Sequence, residues 1–101
     1  MFCVIYSFEI NPEKRESFIE AWREMTLLIR EYEGGLGSRL HQESDTKYIA
    51  YAQWPNRATW ENASDKLPAS ANAIRTRMRE ACTDISTLHE LKMVEDLLVR
   101  K

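Results

Sequence analysis

The chain has 101 residues, of which 44% are hydrophobic and 30% are charged, a composition that fits a single soluble globular domain over residues 1–101. Its net charge of −2 gives no electrostatic reason to expect a nucleic acid or an anionic membrane as a partner. The apolar N-terminus lacks the basic start and the cleavage site of a signal peptide, and no apolar run approaches the roughly 20 residues that span a bilayer, so we expect a cytoplasmic protein.

The first third of the chain predicts a strand followed by a long amphipathic helix. Residues 2–10 alternate as a strand does, with the larger apolar side chains on one face. Asn11 and Pro12 are typical of a helix start, because Asn caps free amides and Pro fits the first turn. Gly34 and Gly35 end the helix. Between these limits an apolar stripe recurs every three or four residues, formed by Phe18, Trp22, Met25, Ile29 and Tyr32.

The remaining chain predicts a hairpin, two helices and a last extended segment. Residues 36–43 and 47–54 are strands joined by the turn at 44–46. Pro55 ends the second strand, Asn56 caps a short helix through about residue 66, and Pro68 interrupts it. A helix over residues 69–82 follows. Residues 85–99 are extended, and their final stretch, 94–99, either crosses to a second subunit or turns helical.

This order of elements is that of the ferredoxin-like fold, a βαββαβ chain in the α+β class. Four antiparallel strands are expected, with helices on one face of the sheet. The opposite face also carries apolar side chains, among them Ile5, Ile49 and Tyr51. A soluble monomer seldom exposes such a patch. We therefore predict a homodimer in which the sheets of two chains pack on each other.

Two tryptophans mark the corner where the hairpin passes into the short helix. Trp54 lies at the exit of the strand, and Trp60 lies within the helix after the Pro55-Asn56 break. Indoles placed on a sheet and on the helix that covers it can wall a flat apolar pocket. The alternative is that both indoles belong to the hydrophobic core.

Three sequence features together resemble the antibiotic biosynthesis monooxygenase family of dimeric α+β barrel proteins, over nearly the whole chain. They are the Asn-Pro-Glu helix start with Phe18 and Trp22 after it, the Gly34-Gly35-Leu36-Gly37 turn, and the Tyr51-Ala52-Gln53-Trp54 run with an aromatic residue at position 60. The resemblance implies a monooxygenase that needs no cofactor and oxidises a small phenol or hydroquinone to a quinone with molecular oxygen.

The resemblance also assigns candidate site residues. Trp54 matches a tryptophan of the family's pocket, and Trp60 stands where quinone-forming members have a tyrosine. A pocket arginine of the later helix corresponds to Arg75 or Arg77. The asparagine that precedes the Tyr-Ala-Gln-Trp run in those members is Ala50 here. Catalytic roles therefore fall to Trp54, Trp60 and Arg75. The walls of an aromatic substrate slot would be Tyr32, Tyr48 and Tyr51.

Two other functions remain open at this stage. A pocket with the same walls could bind a small aromatic ligand without turnover. Haem-degrading monooxygenases share the superfold and resemble the chain at Trp60. Their haem-ligating histidine has no counterpart, because Ser70, Ala71 and Asn72 occupy that region. We therefore predict no tight haem binding.

The remaining candidates for chemistry are two histidines and two cysteines. His41 and His89 fall in different strands without a third ligand at suitable spacing, so we expect no metal site, although either imidazole could serve as a proton shuttle. Cys3 and Cys82 show no motif spacing, and we expect reduced, buried thiols.

Overall fold

The sheet has four antiparallel strands in the order β2-β3-β1-β4, and the helices cover one of its faces. The computed structural model describes residues 1–63 and 66–99. The ferredoxin-like α+β prediction is confirmed. The strands are β1 (Phe2–Ile10), β2 (Gly37–Gln42), β3 (Lys47–Trp54) and β4 (Cys82–Lys92). The helices are α1 (Arg15–Tyr32), α2 (Arg57–Glu61) and α3 (Ala71–Glu80), with a 3₁₀ turn at Pro12–Lys14 before α1.

The predicted helix boundaries are set by local side-chain and backbone chemistry. The Asn11 side chain accepts a hydrogen bond from the Glu13 amide, 3.1 Å away, at the start of the 3₁₀ turn. The Asn56 side chain accepts one from the Thr59 amide at 2.8 Å and caps α2. After α1 the chain reverses at Gly34, whose φ of 77° lies in the left-handed region that favours glycine.

The core between the sheet and the helices is divided into two clusters. One cluster surrounds Phe8, Phe18 and Tyr48, and the other surrounds Val4 and Trp54. Each cluster contains a pair of aromatic residues that face each other across β1 and β3. Phe8 pairs with Tyr48 in the first cluster, and Phe2 pairs with Trp54 in the second. Opposite Tyr6, which contacts both clusters, β3 has the small residue Ala50. The space between the clusters is where the candidate site lies.

The prediction for β4 was wrong in detail. Strict alternation placed Ile85, Thr87, His89 and Leu91 on one face. In the structure, Ile5 of β1 pairs with His89, whereas the next residue, Tyr6, pairs with Thr87. The extra residue, Leu88, makes a β-bulge, and a bulge reverses the facing of every later side chain. Thr87 therefore lies opposite Tyr6, whereas His89 and Leu91 face away from the helices.

Three predicted boundaries also need correction. Helix α2 ends at Glu61, and the part of the predicted helix at residues 64 and 65 lies outside the described residues. Helix α3 ends at Glu80, because the chain already pairs with β1 from Cys82 onward. Strand β4 ends at Lys92, short of the predicted residue 99, and the final stretch 94–99 has no helix. Two of its apolar side chains are almost fully exposed, Val94 at 93% and Val99 at 91%.

Part of the sheet face opposite the helices is apolar, as the sequence indicated. Cys3, Ile5 and Tyr51 share this face by register. The backbone amide of Met93 donates to the carbonyl of Met1 at 2.9 Å, and residues 93–98 then run beside Cys3 and Tyr51. Both cysteines are free thiols, Cys3 buried and Cys82 half-buried. In the described part of the chain, no helix is long and apolar enough to cross a membrane.

Candidate functional site

A cavity of about 200 Å³ lies between α1, α3 and the sheet. We call it the central chamber. Its room comes from small residues, because Ala50 and Ala52 on the helix-facing side of β3 and Gly35 after α1 stand where larger side chains would fill the core. Its walls are almost wholly apolar and include Phe8, Trp22, Met25, Ile29, Trp54 and Met78.

The chamber continues into a more polar cavity of about 270 Å³, which we call the polar end. The two cavities are adjacent, because they share the lining residues Tyr6, Met25, Ile29, Trp54 and Met78, and we call them together the groove. The polar end adds side chains from each covering element, namely Glu33, Trp60, Ala63, Leu67 and Arg75. An apolar chamber that opens onto a few convergent polar groups is the usual form of a small-molecule site.

Glu33 is the most unusual group of the polar end. Its side chain follows the last turn of α1 and is only 5% exposed. Its Oε2 atom is buried and has no hydrogen-bond partner among the described residues. Burial raises the pKa of the Glu33 carboxyl, while the charges of Arg75 and Lys66 act to lower it. A buried carboxyl without a hydrogen bond is costly to a fold, so Glu33 is a candidate for chemistry.

Tyr6 supplies a neutral hydroxyl in the middle of the groove. Burial raises its pKa, and the negative charges of Glu33 and Glu90 act in the same direction. A hydrogen bond from Trp60 opposes the rise, with the indole Nε1 of Trp60 donating to the Tyr6 Oη at 3.0 Å. Because this bond uses Oη as an acceptor, the hydroxyl proton of Tyr6 remains to be donated to a ligand.

Trp54 forms the wall between the chamber and the polar end. The side chain is 4% exposed, and its indole N–H is buried without a hydrogen-bond partner among the described residues. Nε1 is a donor only. The group is therefore a second donor that a ligand oxygen in the groove could satisfy.

The structure brings together the three residues predicted as catalytic, Trp54, Trp60 and Arg75, at the polar end. It also separates the two arginines that the sequence left open. Arg75 lines the groove, whereas Arg77 forms an ion pair with Glu24 of α1. The alternative that both indoles belong to the core also holds in part, since Trp54 is a member of the second core cluster and Trp60 packs against it, while Trp54 and Trp60 also border a cavity.

The predicted tyrosine walls are not found together. Tyr48 belongs to the core, with its ring 5.6 Å from that of Phe18, so it does not line the groove. Tyr32 is 45% exposed. The residues that cover the last turn of α1, among them Leu67 and Arg75, lie on the side of the helix that carries Glu33 and leave Tyr32 uncovered. Tyr51 lies on the opposite face of the sheet, where its Oη is 3.0 Å from both Cys3 Sγ and Gln53 Nε2. It lines neither the chamber nor the polar end but a third cavity at the β2 edge.

Two residues of the groove were missed from the sequence, and each had left a signal. Glu33 stands four residues after Ile29 and eight after Met25, so helical periodicity places it on the apolar stripe of α1. A carboxylate on an apolar stripe is a site candidate. Alternation along β1 puts Tyr6 on the face of the larger apolar side chains, but its hydrogen bond with Trp60 depends on how α2 packs, which periodicity does not give.

The histidines lie outside the groove. His41 and His89 are exposed, on the sheet face away from the helices and on the two edge strands, which three strand spacings of together about 14 Å separate. Within residues 1–63 and 66–99, no three His, Cys, Asp or Glu side chains are grouped so that they could hold a metal ion.

With this geometry described, comparison with known proteins identifies the family. The sequence profile described as antibiotic biosynthesis monooxygenase matches residues 1–75. The chain belongs to the antibiotic biosynthesis monooxygenase family. The match runs from β1 to Arg75, so it includes the side chains that build the polar end. No curated protein sequence matches the chain significantly.

Solved structures similar to this family member share its fold at low sequence identity. A variant of SnoaB, a cofactor-independent oxygenase from Streptomyces nogalater, superposes with a TM-score of 0.73 at 16% identity, covering 95% of each chain. Rv0793 from Mycobacterium tuberculosis gives a TM-score of 0.72 at 15% identity, covering 96% of this chain and 98% of its own. A conserved protein of unknown function from Bacteroides thetaiotaomicron gives 0.70 at 16%, covering 89% and 96%.

Proposed function

We propose that the protein is a cofactor-independent monooxygenase that converts a small aromatic phenol or hydroquinone to a quinone with molecular oxygen. The observation that carries this proposal is the apolar chamber beside the buried Glu33 side chain, whose Oε2 has no hydrogen-bond partner among the described residues and whose pKa the charge of Arg75 acts to lower. Such chemistry asks the protein for a dry aromatic slot, a base for the phenol and positive charge for the oxyanion.

The size of the groove supports a substrate of two or three fused rings. A dry cavity of about 150 Å³ is known to hold a benzene ring. The central chamber, at about 200 Å³, can therefore take one or two rings, and the adjoining polar end of about 270 Å³ can take the ring that carries the hydroxyl. In this pose the phenolic oxygen lies among Tyr6, Glu33 and Arg75.

The first step is transfer of the phenolic proton to the Glu33 carboxylate. The raised pKa suits this role, because a general base is most effective when its pKa lies close to the working pH. The phenolate that forms is stabilised by the Arg75 guanidinium and by the hydroxyl proton of Tyr6. Tyr6 pairs directly with Ala50, the position where quinone-forming relatives have an asparagine, so the tyrosine offers a donor in place of the missing amide.

The oxidation then takes place on the substrate itself. The phenolate gives one electron to O₂, and the resulting radical pair combines to form a carbon–oxygen bond at an unsubstituted ring carbon ortho or para to the oxygen. Loss of the proton on that carbon, with cleavage of the O–O bond, yields the quinone and water. One oxygen atom of O₂ enters the product and the other becomes water, so phenol and O₂ give quinone and H₂O in balance. The apolar chamber excludes bulk water from the radical pair.

An oxygen electrode tests the proposal with a panel of hydroxynaphthalenes and anthrones. We expect uptake faster than the uncatalysed rate, and we expect Arg75→Ala to lower it by about 10²-fold, as loss of one oxyanion donor often does. Arg79→Ala is the matched control, because Arg79 is exposed on the same helix. Uptake at the uncatalysed rate across the panel, with ligands still bound, would identify a binding protein instead.

We further propose that the protein works as a homodimer joined through the apolar sheet face. Ile5, Ile49 and Tyr51 on this face are each only partly covered within one chain, and burial of such a patch against a second copy is the usual solution. Sedimentation at micromolar concentration should give twice the chain mass of 11.9 kDa. A species of 11.9 kDa alone would contradict the dimer.

A further inference from the structure

The groove has a second opening, away from the polar end. Beyond the central chamber lies a cavity of about 490 Å³ at the β2 edge of the sheet, which we call the mouth. The mouth and the chamber share Trp22, Thr26, Gly37, Ser38 and Gln53 as lining residues. The shared residues therefore place the mouth directly beside the chamber.

The mouth differs from the chamber in charge. Arg23 and Arg30 reach it from α1, and Arg39 reaches it from β2. No acidic side chain lines the mouth, and none of these arginines takes part in an ion pair found among the described residues. By contrast, Arg57 and Arg77 each form an ion pair with a glutamate.

The fold, and not an overall basic composition, brings Arg23, Arg30 and Arg39 together. The net charge of the protein is −2, so a local excess of positive charge is not a consequence of composition. Arg23 and Arg30 are seven residues apart and thus lie on one side of α1. The side chain of Arg30 reaches the start of β2, since a methyl group placed on Gly37 would meet its Cδ at 3.8 Å.

We propose that the substrate carries a carboxylate, which the arginines of the mouth bind while the aromatic rings occupy the chamber. Guanidinium groups suit this role, because their paired N–H donors match the two oxygens of a carboxylate. The inference rests on the proposed function and narrows it to acidic phenols. It also fixes the orientation of the substrate: the acidic group lies at the β2 edge, and the phenolic hydroxyl lies at the polar end near Glu33.

The test compares two ligands of nearly equal size, 6-hydroxy-2-naphthoic acid and its neutral amide, by calorimetry at low salt. We expect the acid to bind about tenfold more tightly, the effect of a few exposed ion pairs acting together. In the triple variant Arg23→Gln, Arg30→Gln, Arg39→Gln, the acid should lose this advantage, while the amide should bind as it does to the wild type. Arg79→Gln on α3 is the control and should leave the preference unchanged.

The outcomes separate this inference from the proposed function. If the acid and the amide bind the wild type equally, or if the triple variant keeps the preference, the carboxylate site is refuted while the aromatic groove stands. If neither compound binds, both the carboxylate site and the aromatic groove are refuted for ligands of this size. Loss of amide binding in the triple variant would also count against the inference, since it would show that the arginines support the groove itself.

Discussion

Gly35 offers a sharp test of the groove, because a single methyl group there must enter it. A Cβ atom at position 35 would lie 2.7 Å from the Cγ2 of Ile29, closer than real Cβ contacts come, and 3.5 Å from Cζ3 of the Trp54 indole. Ile29 is β-branched and sits in a helix, so its χ1 angle has little freedom to move the methyl group away. The substitution Gly35→Ala must therefore shift Ile29 or the end of α1.

The expected loss of stability follows from two opposing effects. Overpacking a core position typically costs about 1–3 kcal/mol. Replacing glycine restricts the unfolded chain and returns about 0.4–1 kcal/mol. We expect Gly35→Ala to lower the free energy of unfolding by about 1–2 kcal/mol, and each kcal/mol lowers the Tm of a domain of this size by about 4–8 °C.

A double-mutant cycle shows whether the named contact is the cause. Leucine lacks a methyl group on Cβ, so Ile29→Leu removes the atom that the added methyl group at position 35 would meet. In that background the Gly35→Ala substitution should cost less, with a coupling free energy of about 1 kcal/mol in urea unfolding. An unchanged or raised stability for Gly35→Ala, or costs that simply add, would refute this account of the groove wall.

Three further predictions test neighbouring groups. Glu33→Gln should be at least as stable as the wild type at pH 7, and its advantage should shrink toward pH 4. The reason is that a carboxyl whose pKa is raised in the folded state stabilises the wild type at low pH, and this stabilisation is lost as pH rises through the pKa of the folded state. Urea unfolding at pH 4 and pH 7 measures the difference in the free energy of unfolding. Trp54→Ala should cost about 3–5 kcal/mol, as loss of a buried indole does. The Cys82 thiol, whose pKa burial raises to about 11, should react with iodoacetamide at pH 8 more than tenfold more slowly than a free thiol.

The sequence was sufficient where one periodicity decides the outcome. Alternation placed the large side chains of β1 on one face, which proves to be the helix-facing one, and Asn11, Asn56 and Gly34 marked helix limits by local chemistry. It failed where a single extra residue changes the pattern, as Leu88 does in β4. No local signal in the strand distinguishes a bulge from regular pairing.

The candidate site was predictable only in part, for a related reason. Trp54, Trp60 and Arg75 come from three different elements, and their meeting depends on how the chain between α2 and α3 covers the end of α1. That same packing buries Glu33 and leaves Tyr32 exposed. The chamber exists because small residues such as Ala50 and Gly35 leave space in the core. A sequence analysis that looks for reactive side chains does not detect such a cavity.

Oxidation of a phenol by the protein under ¹⁸O₂, followed by mass spectrometry of the quinone, tests the central claim most directly. The account predicts a quinone that carries one labelled oxygen atom, with the second atom of O₂ in water and with the yield falling in Glu33→Gln. Hydrogen peroxide formed alongside a hydroquinone-derived quinone without label would show a two-electron oxidase instead. An unlabelled quinone from a phenol, or no product above the uncatalysed background, would contradict the account.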